Sequence, residues 1–176
     1  MHIKLKRAPG IYLAGFMGSG KSTVGLALAA HLGWDFVDLD SEIEEREGEK
    51  IADIFDKRGE TEFRRLEKEA IRRRVRKIEC GCPTVVALGG GAFVEPGNYE
   101  LIENHGVTIW LDCSFEELLR SLAAQGTDRP LARDPVRFRQ LYEARRSGYG
   151  RADFRISGEC EESAIIAAIL ALPLWK

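Results

Sequence analysis

An apolar segment that leads straight into a glycine-rich loop constrains the fold of this chain more than any other feature. Residues 11–15 read IYLAG, residues 15–23 read GFMGSGKST, and a helical pattern ending at Gly33 follows. The loop matches G-x-x-x-x-G-K-[ST] between a predicted strand and a predicted helix, which is the context of a phosphate-binding loop, or P-loop. Glycines in such a loop let successive backbone N–H groups face a phosphate, and the helix N-terminus adds partial positive charge.

The P-loop motif predicts which of these residues hold a nucleotide and a metal ion. Lys21 would place its ammonium group on the β- and γ-phosphates of ATP and is a predicted catalytic residue. The Ser22 hydroxyl would ligate Mg²⁺, which is the expected cofactor. The predicted ATP-binding residues of the loop are Gly18, Ser19, Gly20, Lys21, Ser22 and Thr23.

Strand-like and helix-like segments alternate along the rest of the chain. Four β-type runs begin at Ile11, Asp35, Pro83 and Val107, and a weaker one begins at Asp153. The alternation predicts a doubly wound parallel sheet, with ligands at the carboxyl ends of its strands. We expect one three-layer α/β/α domain over residues 1–176, of the P-loop NTPase class, with a central five-stranded parallel sheet. The irregular segment at about 123–136 is expected to be a mobile lid.

Composition argues against several classes of partner. The net charge of −2 and the pI near 6.0 do not suit broad binding to nucleic acid or anionic lipid. The longest apolar stretch, AIIAAILALPLW, is shorter than the ~20 residues of a membrane span. The four cysteines lack the paired spacing of a zinc site and are interpreted as reduced thiols. We therefore expect a cytoplasmic monomer without nucleic-acid or membrane partners.

Two carboxylates follow the second predicted strand. In DLD, Asp38 and Asp40 are one side-chain alternation apart, so a continuing strand would place both on the same face. Such carboxylates beside a P-loop can orient Mg²⁺ and accept a hydrogen bond from a substrate hydroxyl. The alternative interpretation is an acidic N-cap for a helix that starts near Ser41.

A second glycine-rich turn, LGGGAF at residues 88–93, ends another apolar run. Because Gly89, Gly90 and Gly91 have no Cβ atoms, the backbone there could approach a ligand closely. The alternative is a flexible exit from the strand. The first interpretation makes this turn an acceptor loop, distinct from the phosphate loop.

The order of these motifs resembles the shikimate kinase family. The matching sequence is GFMGSGKST, DLD, IADIFDKRGETEFRRLE, ALGGGA, DRPL and RRSGY, from residue 11 to about residue 157. The resemblance implies transfer of the γ-phosphoryl group of ATP to the 3-hydroxyl of shikimate, in chorismate and aromatic amino-acid biosynthesis. It also implies that ATP and shikimate are the binding partners and that helices at about 41–78 bind the acceptor.

The resemblance further implies roles for single residues. Asp38 joins Ser22 in the metal shell, while Asp40 binds the acceptor hydroxyl and is the candidate base. Arg129 of DRPL arrives with the lid, contacts ATP and is catalytic. Glu67 orients the arginines that grip the substrate carboxylate. The implied acceptor site contains Asp40, Phe55, Phe63, Arg64, Gly89, Gly90, Gly91 and Arg145.

Elementary chemistry agrees with the carboxylate-binding role of Arg64 and Arg145. A guanidinium fork offers a planar carboxylate two parallel, charge-assisted hydrogen bonds. Most other arginines of the charged segment around residues 64–76 are expected to lie on a solvated face. One departure from the family pattern is Ser147-Gly148, where the family usually has Pro-Leu.

Three alternative functions remain open on the sequence. Another small-acid kinase, such as a gluconate kinase, would also need acid-binding arginines, but its usual His- and Asn-bearing stretch is absent. A nucleoside monophosphate kinase would need a base-binding segment after the first helix. A catalytically silent nucleotide-binding homologue is the alternative from a different class. A guanine-specific switch is disfavoured because neither Asn98 nor Asn104 is followed by Lys.

Overall fold

A parallel β-sheet forms the centre of the protein. The computed structural model describes residues 10–126 and 134–174. Its strands are β1 (Gly10–Ala14), β2 (Asp35–Asp38), β3 (Thr84–Ala87), β4 (Val107–Asp112) and β5 (Phe154–Ser157). They lie in the order β2-β3-β1-β4-β5, and each neighbouring pair is parallel. The predicted fold class is confirmed, including the weak fifth strand.

Helices follow each strand, as the sequence pattern predicts. Within the described residues they are α1 (Lys21–Leu32), α2 (Leu39–Glu47), α3 (Ile51–Glu79), α4 (Asn98–Ile102), α5 (Phe115–Ala124), α6 (Pro135–Tyr149) and α7 (Glu162–Leu170). Their ends match the capping signals. Gly33 and Gly48 end α1 and α2, and the Ser114 hydroxyl accepts the Glu117 N–H at the start of α5.

Alternate side chains of the central strands enter two separate cores. Ile11 and Leu13 of β1 pack with α1 and α7 on one face of the sheet. Tyr12 and Ala14 pack on the other face, in the core that contains residues of α2, α3, α5 and α6. Burial on both faces explains why these strands read as continuous apolar runs. The result is the predicted three-layer arrangement.

The second strand ends earlier than the sequence pattern suggests. β2 stops at Asp38 and α2 starts at Leu39. The Asp38 carboxylate accepts the N–H of Ser41 at 3.1 Å, so it caps the helix. A carboxylate at this position satisfies an N–H group that has no partner within the helix, and this favours the early turn. The prediction that Asp38 and Asp40 share a strand face is therefore wrong, because Asp40 lies in the first turn of α2.

Helix α3 contains a break that the sequence anticipates. The pattern predicts one helix ending near Gly59 and another starting after it, and the observed helix is continuous except for Gly59, with φ 82° and ψ 169°. Glycine adopts this positive φ at low cost because it has no Cβ. Phe55 and Phe63, on either side of the break, pack together with ring centroids 4.6 Å apart.

The parallel order brings the important loops to one edge of the sheet. The P-loop follows β1, Asp38 ends β2, and the glycine turn follows β3. Because β3 is the direct neighbour of β1, the P-loop and the glycine turn lie side by side. The Leu88 N–H donates to the Leu13 carbonyl at 3.0 Å and extends this pairing up to the first glycine.

The predicted lid lies only partly within the described residues. α5 ends at Ala124 and α6 begins at Pro135, so both ends of the predicted 123–136 range are helical. Arg129 and its neighbours, residues 127–133, lie outside the described residues. In the part of the chain that is described, no helix combines the length and apolarity needed to cross a membrane.

Close packing between α1 and β2 generates a stability prediction. A Cβ on Gly25 would lie 2.6 Å from Cε2 of Phe36 and 3.2 Å from Cδ1 of Leu13. Although alanine ordinarily favours a helix over glycine, Gly25→Ala should lower the free energy of unfolding by about 1–2 kcal/mol through overpacking. Urea denaturation would measure the change. The double variant Gly25→Ala/Phe36→Leu should recover part of the loss, and a Gly25→Ala protein more stable than wild type would contradict this packing.

Candidate active site

The P-loop encloses the ammonium group of Lys21. Lys21 Nζ donates to the carbonyl oxygens of Gly15 at 2.8 Å and Phe16 at 2.9 Å. The side chain is 9% exposed, at the first position of α1. Gly18 and Gly20 adopt positive φ values of 85° and 86°, as the motif requires. A buried cation and the N-terminus of α1 thus lie together, which is the electrostatic arrangement that a phosphate needs.

Two oxygen donors lie next to this loop. The Ser22 hydroxyl donates a hydrogen bond to Oδ2 of Asp38. Ser22 and Asp38 are the pair that the sequence predicts for the metal, and the fold brings them into contact although they are 16 residues apart. A hydroxyl and a carboxylate are oxygen ligands of the kind that Mg²⁺ prefers, and Mg²⁺ fills its remaining positions with water or phosphate. The chemistry of the donor pair therefore fits this ion.

The three glycines lie against the charged side chains predicted for the acceptor. A Cβ on Gly91 would be 2.7 Å from Nη2 of Arg64 and 3.1 Å from Nη2 of Arg145. A Cβ on Gly89 would be 2.6 Å from Oδ1 of Asp40. These close approaches show that the turn packs against charged side chains, which favours the acceptor-loop interpretation over a flexible exit.

The turn also lies close to the phosphate loop. A Cβ on Gly90 would be 3.2 Å from Nη1 of Arg145 and 3.5 Å from the backbone nitrogen of Met17. Met17 belongs to the P-loop, while Arg145 belongs to α6. One small turn therefore has the phosphate loop on one side and two guanidinium groups on the other.

Arg64 is held by a buried carboxylate. Its Nη1 donates to both oxygens of Glu67, at 2.9 Å and 3.1 Å. Glu67 is 1% exposed, and burial raises the pKa of its carboxyl, with Asp40 and Glu95 adding to the rise and Arg64 opposing it. The side chain of Arg64 is 18% exposed, against 53% for neighbouring Arg65. The predicted solvated face holds for Arg65, Arg72 and Arg76, which are exposed. It is wrong for Arg73 and Arg74, whose side chains are 27% and 16% exposed and pair with Glu42, so burial alone does not single out Arg64.

Arg145 is held by a different set of groups. Its guanidinium hydrogen-bonds to the Tyr149 hydroxyl and lies 5.5 Å from the centre of the Phe16 ring. Burial lowers the pKa of Arg145, and the positive charge of Arg64 lowers it further. Arg64 also lies 3.6 Å from a carboxylate oxygen of Glu60 and 3.5 Å from one of Glu95, so its charge is partly balanced. Both guanidinium groups still lie at Gly91, where their N–H groups can donate to one anion.

The fold brings together nearly all the predicted site residues. Phe63 is buried below the guanidinium of Arg64, at 5.3 Å from its ring centre, and Phe55 packs on Phe63. Thr23 is exposed in the first turn of α1, next to Ser22. Arg129 is the exception, since it lies outside the described residues.

Comparison with known proteins decides the family. The shikimate kinase family model matches residues 17–172. A shikimate kinase from a Sulfurihydrogenibium species is 43% identical over 162 residues, which cover 91% of this chain and 95% of that protein. The chain belongs to the shikimate kinase family. Its members are ATP-dependent kinases, so the chain is a phosphotransferase of this kind.

Solved structures of shikimate kinases share its fold. A shikimate kinase from Acinetobacter baumannii, solved in complex with shikimate, has a TM-score of 0.83 and 33% identity over 92% of this chain and 90% of that one. A gluconokinase from Sinorhizobium meliloti has a TM-score of 0.61 and only 21% identity, covering 94% of this chain and 92% of that one, and this shows the fold alone. The gluconate kinase alternative is therefore not favoured over the shikimate kinase family.

Sequence reasoning missed two polar residues that support the site. The Tyr149 hydroxyl donates to the Gly90 carbonyl and contacts Arg145, four residues earlier on α6. Asn98 donates to Glu67 across the fold. The i,i+4 spacing of Arg145 and Tyr149 was a usable signal. No sequence motif marks Asn98, because the Glu67 carboxylate to which it donates is 31 residues away.

The departure from the family pattern at Ser147-Gly148 has a structural counterpart. Both residues lie within α6, so the helix continues to Tyr149. A Cβ on Gly148 would overlap Cγ1 of Val94 and lie 2.9 Å from its Cβ. The glycine therefore lets α6 approach the segment that follows the glycine turn.

Burial of Glu67 generates a prediction about pH and stability. Because its pKa is raised above the ordinary 4.5, the folded protein keeps this proton to a higher pH than the unfolded chain. The contribution of protonated Glu67 to the free energy of unfolding is therefore lost as the pH rises from 4.5 through the raised pKa of the folded protein. Glu67→Gln cannot lose the proton, so its free energy of unfolding relative to wild type should increase from about pH 4 to about pH 7.

Urea denaturation across this pH range would measure the difference. Glu62→Gln is the matched control, because Arg65 lowers the pKa of the half-buried Glu62 carboxyl on the same helix. The control should show the opposite trend, with the variant losing stability relative to wild type as pH rises. A Glu67→Gln difference that is flat with pH would contradict the raised pKa.

Proposed function

We propose that this protein transfers the γ-phosphoryl group of ATP to the 3-hydroxyl of shikimate. The observation that carries the proposal is the meeting of Arg64, Arg145 and Asp40 over the three glycines, directly beside the P-loop. Two guanidinium groups suit the single carboxylate of the acceptor, and a carboxylate suits one of its hydroxyls. Family membership supports the same acceptor.

On the donor side, the P-loop amides and Lys21 would bind the phosphates of ATP. Ser22 and Asp38 would hold Mg²⁺, which neutralises phosphate charge when it is bound. Asp38 also caps α2, so its carboxylate is fixed before a metal arrives. Preformed oxygen ligands need little rearrangement on binding, and this supports the metal assignment.

On the acceptor side, Arg64 and Arg145 would bind the carboxylate from two directions. Arg64 lies on α3 and Arg145 lies on α6, so two different helices would hold the carboxylate and thereby orient the ring of the acceptor. The backbone of Gly89, Gly90 and Gly91 would approach the bound ring closely because no Cβ intervenes. Phe55 and Phe63 would provide the apolar wall beneath.

Asp40 would accept the hydrogen bond of the reacting hydroxyl. Phosphoryl transfer passes through a loose transition state, so the acceptor oxygen needs alignment more than a strong base. Asp40 lies in the first turn of α2, where the helix N-terminus stabilises an ionised carboxylate. Asp40 in this place therefore suits the alignment of the oxygen and receipt of its proton.

The remaining assignments follow from the sequence. Arg129 would reach the phosphoryl group from a lid at about 123–136, and closure would exclude water from the reaction. We also propose that the protein acts as a single-domain monomer in the cytoplasm, without nucleic-acid or membrane partners. The modest net charge of −2 supports the absence of a nucleic-acid partner.

A panel of acceptors tests the proposed reaction. With Mg²⁺ and ATP, ADP release should require shikimate and should stay at background with gluconate, AMP or no acceptor. Arg64→Lys should raise the KM for shikimate by roughly tenfold to a hundredfold, because lysine lacks the guanidinium fork. A coupled ADP assay measures both effects.

Arg65→Lys is the matched control for this experiment. Arg65 is next to Arg64 in the chain, but its side chain pairs with Glu62 and Glu69 on the exposed face of α3. Its substitution should leave both kinetic constants for shikimate unchanged. ADP release that is independent of shikimate, or a silent protein that binds ATP alone, would contradict the proposal.

A further inference from the structure

Asn98 is a buried polar residue outside the reacting groups. It is the first residue of α4 and is 1% exposed. Its side-chain Nδ2 donates to Oε1 of Glu67 at 3.3 Å and to the carbonyl of Ala92 at 3.1 Å. Ala92 directly follows the last glycine of the acceptor turn. One amide group therefore connects α3, α4 and the glycine turn.

The two partners of Asn98 dictate the type of side chain. Both the Glu67 carboxylate and the Ala92 carbonyl are acceptors, so the site needs a neutral group with two donor hydrogens. The amide of asparagine supplies both from one nitrogen. A hydroxyl supplies one and a carboxylate supplies none. The opposite orientation of the amide would place its oxygen against both acceptors, so the partners fix the orientation.

The neutral charge of the amide matters as much as its hydrogens. Glu67 binds Arg64 through both carboxylate oxygens and is surrounded by further charges from Asp40, Glu95 and Arg145. A cation at position 98 would compete with Arg64 for the carboxylate. The amide instead fixes the position of Glu67 and leaves its charge to the arginine.

We propose that Asn98 is a positioning residue that sets the place of Arg64 against the glycine turn. The connected path runs from Arg64 to Glu67, from Glu67 to Asn98, and from Asn98 to the carbonyl of Ala92. Ala92 is next to Gly91, where an added Cβ would lie 2.7 Å from Nη2 of Arg64, so the path returns to the arginine. The inference rests on the proposed function, because it assigns Arg64 to the carboxylate of shikimate.

The loss of this path should affect one substrate and spare the other. In Asn98→Leu, which has similar volume and no donors, Glu67 keeps Arg64 but loses its tie to the turn. The KM and the dissociation constant for shikimate should then rise by roughly tenfold. The KM for ATP and kcat should change by less than about threefold, because the Asn98 side chain donates to Glu67 and Ala92 and not to the P-loop in the described part of the chain.

Two further variants separate positioning from a general loss of stability. Asn98→Ser keeps one donor in a smaller side chain, so it should lie between wild type and Asn98→Leu in affinity for shikimate. Ile102→Val is the control, since Ile102 is fully buried on the same helix. It should lower the thermal midpoint while leaving every kinetic constant unchanged.

The measurements are steady-state kinetics for both substrates, calorimetric binding of shikimate, and thermal unfolding. If Asn98→Leu and Asn98→Ser unfold more easily but keep the wild-type KM for shikimate, Asn98 is merely structural and the inference fails alone. If wild-type protein shows no ADP release dependent on shikimate, the proposed function fails, and this inference fails with it.

Discussion

The guanidinium groups of two arginines from different helices lie together against the glycine turn, which has no side chains at residues 89–91. The rest of the site depends on this close approach. Arg64 and Arg145 converge at Gly91, where any Cβ would lie within about 3 Å of both guanidinium groups. Like charges in a partly buried place raise the free energy of the folded state. Glu67 and Tyr149 offset part of this cost by hydrogen bonding to one arginine each. Glu60 and Glu95 also lie within 4 Å of Arg64, so an anionic ligand at Gly91 would meet guanidinium N–H groups whose charge is partly balanced.

Strand order explains why this meeting occurs beside the nucleotide loop. β3 pairs with β1, so the glycine turn and the P-loop emerge side by side from the same edge of the sheet. α3 then supplies Arg64 from one side, and α6 supplies Arg145 from the other. The P-loop and the glycine turn are neighbours because their strands are neighbours, although the loops are about 70 residues apart in the chain.

Features set by local physics could be predicted from the sequence. The P-loop, the helix caps at Gly33, Gly48 and Ser114, and the break at Gly59 each depend on a few adjacent residues. The boundary at Asp38 was misjudged because alternation predicted a longer strand, whereas capping favoured an earlier helix. Asn98 was missed because its contacts join segments far apart in the chain. The family resemblance identified Arg64 and Arg145, but only the fold shows that they converge at one glycine.

The affinity of the protein for shikimate, compared with that for its neutral carboxamide, tests the central claim most directly. The carboxamide keeps the ring and hydroxyls but removes the charge that the arginines would bind. Calorimetry should show that wild type prefers shikimate by roughly a hundredfold and that the double variant Arg64→Gln/Arg145→Gln loses most of that preference. Equal affinity of wild type for the two compounds would contradict an acceptor site built on the two arginines.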